Sequence, residues 1–191
     1  MKQVILGSKS PRRKEILQYF SIPFLCIAPS FDEEAVAYEG CPNEHAKRLS
    51  EGKNKAISSL HPESLIITAD TVVAFEGKLF GKPKNLEEAK TFLKILTGNW
   101  HTVITAVTLN GTTELEQTRV LFHKFTDREI ALYLQSIQWE DKAGAYAIQG
   151  AGGLLVCRIE GCYTNVMGLP INTLQKLCKQ VGIDLLEWAI P

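Results

Sequence analysis

Leu65-Ile66-Ile67-Thr68-Ala69-Asp70-Thr71-Val72-Val73-Ala74-Phe75 is a run of apolar and β-branched side chains interrupted by one carboxylate. Its length and composition predict a buried strand, ended by the turn pair Glu76-Gly77. Asp70 is the anomaly, because aspartate is depleted in such runs. A buried carboxylate without a partner is driven toward its neutral form, so a lysine, a metal ion or a hydrogen-bonding water is expected beside it. The alternative is that Asp70 marks a bulge or caps a neighbouring turn.

Outward from this strand, regular elements alternate in type. Val4 to Ser8 reads as a short buried strand, and Ser10-Pro11 as an N-cap and first helical residue opening a helix to about Phe20. Phe24 to Ala28 is a second strand, followed by the acidic loop Asp32-Glu33-Glu34. A helix from about Pro42 to Leu60 carries Ala46, Leu49, Ala56 and Leu60 on one apolar face. Asn85-Leu86-Glu87-Glu88 and Thr126-Asp127-Arg128-Glu129 have capping-box spacing and should start helices to Leu96 and about Ser136. Between them, His101 to Leu109 and Glu114 to Phe122 form an antiparallel hairpin turned at Asn110-Gly111. Strands are expected at Tyr146 to Ile148 and Leu154 to Ile159, and a last helix from Ile171 to Val181, closed by Gly182. Strands and helices mix along the whole length, which predicts an α/β (mixed α+β) sheet with helices on its faces, in one domain spanning residues 1–191.

The 191 residues are 45% hydrophobic, enough for a substantial core, and 21 basic side chains balance 21 acidic ones. No overall field exists to hold the chain on nucleic acid or an anionic membrane, so neither is an expected partner. The first residues are too briefly apolar for a signal peptide or a membrane span. Five scattered cysteines without a CxxC pair suit a reducing cytoplasm. The four histidines lack zinc-site spacing, and neither a GxSxG nor a GxGxxG sequence occurs.

Ser8-Lys9-Ser10-Pro11-Arg12-Arg13-Lys14 sets four cations around the first turn of a helix, where free N–H groups already make positive charge unfavourable. Either the long side chains bend into water or an anion such as phosphate is bound there, with serine hydroxyls and forked arginine donors on its oxygens. Asp32-Glu33-Glu34 is a solvated acidic loop, or supplies a second carboxylate beside Asp70 for a divalent metal. Gly81-Lys82-Pro83-Lys84 presents a lysine on a rigid turn, but it is no Walker loop, because Pro83 stands where a metal-binding Ser or Thr is required. Gln149-Gly150-Ala151-Gly152-Gly153 is a plain turn or a loop that lets backbone approach a ligand.

In order along the chain, Ser8-Lys9-Ser10-Pro11-Arg12-Arg13, Thr68-Ala69-Asp70-Thr71, Gly81-Lys82-Pro83, Asp141-Lys142-Ala143-Gly144-Ala145-Tyr146, Gln149-Gly150 and Asn165-Val166-Met167-Gly168-Leu169-Pro170 resemble the Maf family of nucleoside triphosphate pyrophosphatases from end to end. The resemblance implies an elongated α/β fold with a cleft between two lobes, a divalent cation requirement (Mg or Mn) and a homodimer; Asp70 and Glu33 are the residues expected to hold the cation. The resemblance also implies Asp70 as the acidic catalytic residue, with Glu33, Lys53 and Lys82 completing the charged site, while the chemistry of Ser8, Ser10, Arg12 and Arg13 places them on the phosphates. Arg12, Thr71 and Gln149 are similar to the branch that acts on dTTP and UTP, which implies a pyrimidine nucleoside triphosphate substrate, with Thr71 and Gln149 reading the base. Around Lys53 the usual alanine neighbours are missing, which leaves Lys55 as the alternative functional lysine. A non-catalytic nucleotide-binding regulator linked to cell division is the competing expectation.

Overall fold

The computed structural model describes residues 2–189, which form a seven-stranded mixed sheet with helices on both faces. The elements are β1 (Val4–Gly7), α1 (Pro11–Leu17), β2 (Phe24–Cys26), α2 (Pro42–Ser58), β3 (Leu65–Phe75), β4 (Lys78–Phe80), α3 (Leu86–Leu96), β5 (Trp100–Leu109), β6 (Thr112–Phe122), α4 (Asp127–Ser136), β7 (Val156–Glu160), α5 (Tyr163–Met167) and α6 (Ile171–Gln180). Short 3₁₀ turns lie at Ala143–Ala145, Gly150–Leu154 and Leu185–Trp188. The strand order is β2-β1-β3-β5-β6-β7. Strand β1 is parallel to β2 and β3, and the remaining pairs are antiparallel.

The register along β3 makes the functional geometry. Strand β1 pairs with β3 only from Val4↔Leu65 to Gly7↔Thr68, and β4 takes up β3 again only from Val73↔Phe80. On the edge away from β5, residues 69–72 of β3 therefore border a gap in the sheet, while their other edge stays regularly paired, Asp70 with Ala106 and Thr71 with Thr105. Asp70 thus marks no bulge. Because side chains alternate along a strand, Asp70 and Thr71 leave the gap toward opposite faces.

One face carries two separate hydrophobic clusters. Val4, Leu6, Ile16, Leu65, Ile67 and Leu174 gather under β1 and the first half of β3, and Val73, Phe80, Leu93, Val103, Ile130 and Tyr146 around its second half. Thr71 and Thr105 lie at the seam between them. The opposite face is covered by α2, whose inward ridge is polar as well as apolar. Ser50 bonds Thr108 at 2.8 Å and Asn54 donates to the Ile66 carbonyl at 2.9 Å, which fixes the helix's rotation over β3 and β5.

Local signals held where chemistry closed them locally. Thr126 and Glu129 form the full capping box. Asn85 accepts from the Glu88 backbone N–H, but the Glu88 carboxylate reaches back to the N–H of Lys84 in place of Asn85, so that box is half complete. The hairpin turns at Asn110-Gly111, both at positive φ (46° and 84°), as a two-residue primed turn requires, and β6 begins at Thr112, earlier than its composition suggests. Ser10 occupies the N-cap position of α1, yet its side chain makes no capping bond, and its own N–H donates to Ser8 Oγ.

Several expectations are corrected. Strand β2 stops at Cys26, short of Ala28, and α1 stops at Leu17. Helix α2 ends at Ser58, so Leu60 lies beyond it and is 74% exposed, off the apolar face assigned to it. Tyr146 to Ile148 is not a strand. Gly144 and Ala145, both at positive φ, turn the chain inward, the Tyr146 ring packs on His101 and Phe122, and the Ala147 N–H goes to the Tyr133 hydroxyl. Strand β7 starts at Val156, because Gly150–Leu154 winds as a 3₁₀ turn. Among the described residues no helix is long and apolar enough to cross a membrane.

Candidate functional site

The sheet gap opens into a cleft of about 1110 Å³ whose walls include all ten residues singled out above: Ser8, Ser10, Arg12, Arg13, Glu33, Lys53, Asp70, Thr71, Lys82 and Gln149. Strand β1 ends at Gly7, whose partner Thr68 lies two residues before Asp70, so Ser8 to Arg13 leave the sheet beside the carboxylate. The opening is thus at the carboxyl end of β1, beside the middle of β3, and the carboxyl ends of parallel strands are where α/β sheets hold ligands.

On the α2 face, four side chains alternate in sign. Lys53 Nζ lies 2.6 Å from Asp70 Oδ1 and 3.1 Å from Glu33 Oε1, and Lys82 Nζ lies 3.4 Å from Glu33 Oε2. Lys53 and Asp70 are buried, Glu33 is half-buried and Lys82 is exposed, so the row runs from the interior to solvent. Burial acts to raise the Glu33 pKa, but Lys53 and Lys82 outweigh it and hold the carboxyl below the usual range. Lys53 is the lysine at the carboxylates, and Lys55, two residues on, faces solvent. Glu33 reaches this row because its loop lies on α2 at Gly52, where an added Cβ would fall 2.3 Å from the Phe31 ring. Asp32 turns the loop by accepting from the N–H groups of Glu34 and Ala35. Among the described residues no donor engages Asp70 Oδ2.

On the other face the arginines part company. Arg13 donates from Nε to the Gly168 carbonyl (2.7 Å), from Nη2 to Thr71 Oγ1 (3.0 Å) and from Nη1 to Ser8 Oγ (3.4 Å). Arg12 instead crosses to Asp141, 3.0 Å away. Asp141 is also bound by Lys142 at 2.6 Å, and these cations overcome the opposing effect of burial and keep its pKa low. Gln149 contacts Glu15 of α1 at 3.4 Å, beside the same seam. Asp141, Thr105 and the Gly168 carbonyl were not among the site residues expected. Asp141 stands in a block the sequence had already set apart, whereas nothing local distinguishes Thr105 on β5.

Among the described residues, no cluster of three or more His, Cys, Asp or Glu exists that could by itself cage a metal. Asp70 and Glu33 are hard oxygen donors in one cleft, which fits a Mg²⁺ or Mn²⁺ that takes one or two carboxylates and completes its shell with phosphate oxygens and water.

Fold and cleft define a mixed α/β protein with a cationic, carboxylate-bearing site at a break in its sheet. The chain belongs to the Maf-like protein family, which it matches over residues 3–181. It is 45% identical to the dTTP/UTP pyrophosphatase of Chlamydia caviae over 98% of both chains. It is 43% identical to the dTTP/UTP pyrophosphatase of Clostridium perfringens, covering 96% of this chain and 100% of that one. The nucleoside triphosphate pyrophosphatase of Chlamydia muridarum is 39% identical over 97% of each. The crystal structure of protein VC0702 from Vibrio cholerae overlaps 72% of this chain and 69% of its own at 14% identity, with a TM-score of 0.35, too loose to bear on the fold.

Proposed function

We propose that this chain hydrolyses dTTP and UTP to the nucleoside monophosphate and pyrophosphate, a step that clears or recycles nucleotides. The observation that carries the reading is the buried Asp70–Lys53 pair, continued by Glu33 and Lys82, facing Arg12 and Arg13 across one cleft. The pyrimidine substrates are taken from the named activity of the relatives.

In this reading Arg13, Ser8 and Ser10 hold phosphate oxygens, and Arg12 joins them once it leaves Asp141. Asp70 accepts a proton from a water that attacks the α-phosphorus. The bond from that phosphorus to the bridging oxygen breaks, and pyrophosphate leaves with the bond's electrons. Lys53 fixes Oδ1 of Asp70 and so leaves Oδ2 for the water, while Lys82 meets charge building on the departing group. A divalent cation would be held by Asp70 and Glu33 and would neutralise phosphate charge. Gln149 offers an amide that matches the mixed donors and acceptors of a uracil or thymine edge. The protein works as a homodimer in the cytoplasm. The first of these rests on family resemblance, and the second on the unpaired state of all five cysteines.

The test is pyrophosphate release from a panel of nucleoside triphosphates with Mg²⁺, Mn²⁺ or chelator, wild type beside Asp70→Asn. Metal-dependent release from dTTP and UTP, reduced about 10²–10⁴-fold in the variant, is the expected result. Silence of the wild type across the panel would favour a nucleotide-binding regulator.

A further inference from the structure

Thr105 is wholly buried on β5 and is not itself among the residues lining the cleft. Its hydroxyl is nonetheless linked to the cleft by a run of hydrogen bonds along the seam between the two hydrophobic clusters. Arg13 Nη2 donates to Thr71 Oγ1 (3.0 Å), Thr71 Oγ1 lies 2.9 Å from Thr105 Oγ1, and Thr105 donates to the Asn165 backbone carbonyl (3.1 Å). The direction of this chain is decided at its buried end. A carbonyl only accepts, so the single proton of Thr105 goes to Asn165, and Thr105 must accept from Thr71. Thr71 therefore spends its own proton inward and turns a lone pair to Arg13. Asn165 is held in turn, for its side-chain amide donates to the Val103 carbonyl and to Thr118 Oγ1.

We propose that Thr105 is a positioning residue for Arg13, acting through Thr71 from the neighbouring strand. The proposal rests on the reading that Arg13 binds phosphate. A guanidinium has five N–H donors, and three are used by Gly168, Thr71 and Ser8. One remains on each terminal nitrogen, a fork for two oxygens of one phosphate group. The fork is aimed only if the other bonds hold, and each link polarises the next. Gly168 completes the clamp. At φ +108° its conformation suits glycine, and an added Cβ would lie 3.3 Å from Thr71 Oγ1 and 3.5 Å from Arg13 Nε. Thr71, expected to read the base, is thereby assigned first to the arginine, and can offer a ligand an acceptor but no donor.

The experiment measures binding of inorganic pyrophosphate to the full chain by calorimetry, with UTP turnover alongside, in Thr105→Val, Thr105→Ser, Arg13→Ala and the Thr105/Arg13 double variant. Valine keeps the shape and deletes the hydroxyl. It should weaken pyrophosphate binding about tenfold, the scale of one hydrogen bond to a charged group, and serine should restore it. In the Arg13→Ala background the valine should change affinity by less than about twofold. Wild-type affinity in Thr105→Val, or a loss of equal size with Arg13 absent, would overturn the proposal. If Thr105→Val does not fold, Thr71→Val interrupts the same chain at its cleft end, and additivity with Arg13→Ala is then the overturning result. A wild type that shows this pattern without UTP turnover refutes the pyrophosphatase reading alone. Turnover with additive losses refutes the role of Thr105 alone.

Discussion

Lys53 Nζ stands 2.6 Å from Asp70 Oδ1, and each side chain keeps less than a tenth of its surface in contact with solvent. The pair joins α2 to β3 at the floor of the cleft, so it serves the fold as well as the chemistry. Removing one member of a buried pair leaves the other charge uncompensated, which costs about 3–5 kcal/mol. Lys53→Met should therefore lower the denaturation midpoint in urea and abolish UTP hydrolysis. Lys55→Met, in the solvated neighbour, should change neither, and equal effects of the two substitutions would return the choice between the lysines to open ground.

Arg12 is held by Asp141 from the far wall, so a phosphate must compete with a carboxylate for it. Because Asp141 is half exposed, the competition is screened by solvent and by salt. Asp141→Asn should tighten inorganic pyrophosphate binding about fivefold, roughly 1 kcal/mol, at low ionic strength. The gain should shrink as salt is added. Calorimetry at two salt concentrations reads both effects, and a weakened affinity would mean that Asp141 serves to position Arg12.

Gln149 lies beside Glu15 as well as in the cleft wall. Gln149→Glu removes the amide donor and sets two carboxylates together. The expected outcome is a fall of about tenfold in kcat/KM for dTTP and UTP with little change for purine triphosphates. An unaltered substrate ranking would remove Gln149 from base recognition.

His101 is buried against Phe122 and Tyr146, and burial lowers its pKa from the ordinary 6.5 to about 4. Between those values the unfolded chain binds a proton that the folded chain refuses, so stability rises with pH across the window. Acidification from pH 6.5 toward pH 4 should cost up to about 3 kcal/mol from this group. Urea midpoints measured from pH 4 to pH 7 should show the slope, and His101→Gln should flatten it.

Much of this was legible in order of sequence. The run from Leu65 to Phe75, the Asn110-Gly111 turn and the Thr126 cap each carry their own physical reason within a few residues. Asp70 announced itself because a carboxylate in an apolar strand needs a partner. Strand β4 and helix α5 were not legible, because three and five residues have little propensity of their own and are held by neighbours. Tyr146 to Ile148 misled because its apolar content serves an inward turn and not a ladder.

The amino-acid sequence by itself determined which groups were available and on which kinds of element they ride. Tertiary structure alone decided who meets whom. Lys53 and Lys55 are two residues apart on one helix, roughly 200° around its axis, and only the packing of α2 on the sheet chose between them. Arg12 and Arg13 are adjacent, yet one crosses to Asp141 and the other to Gly168, 129 and 155 residues away. Those distances close because β1 stops two residues short of Asp70, and register is a property of paired strands that no local stretch contains.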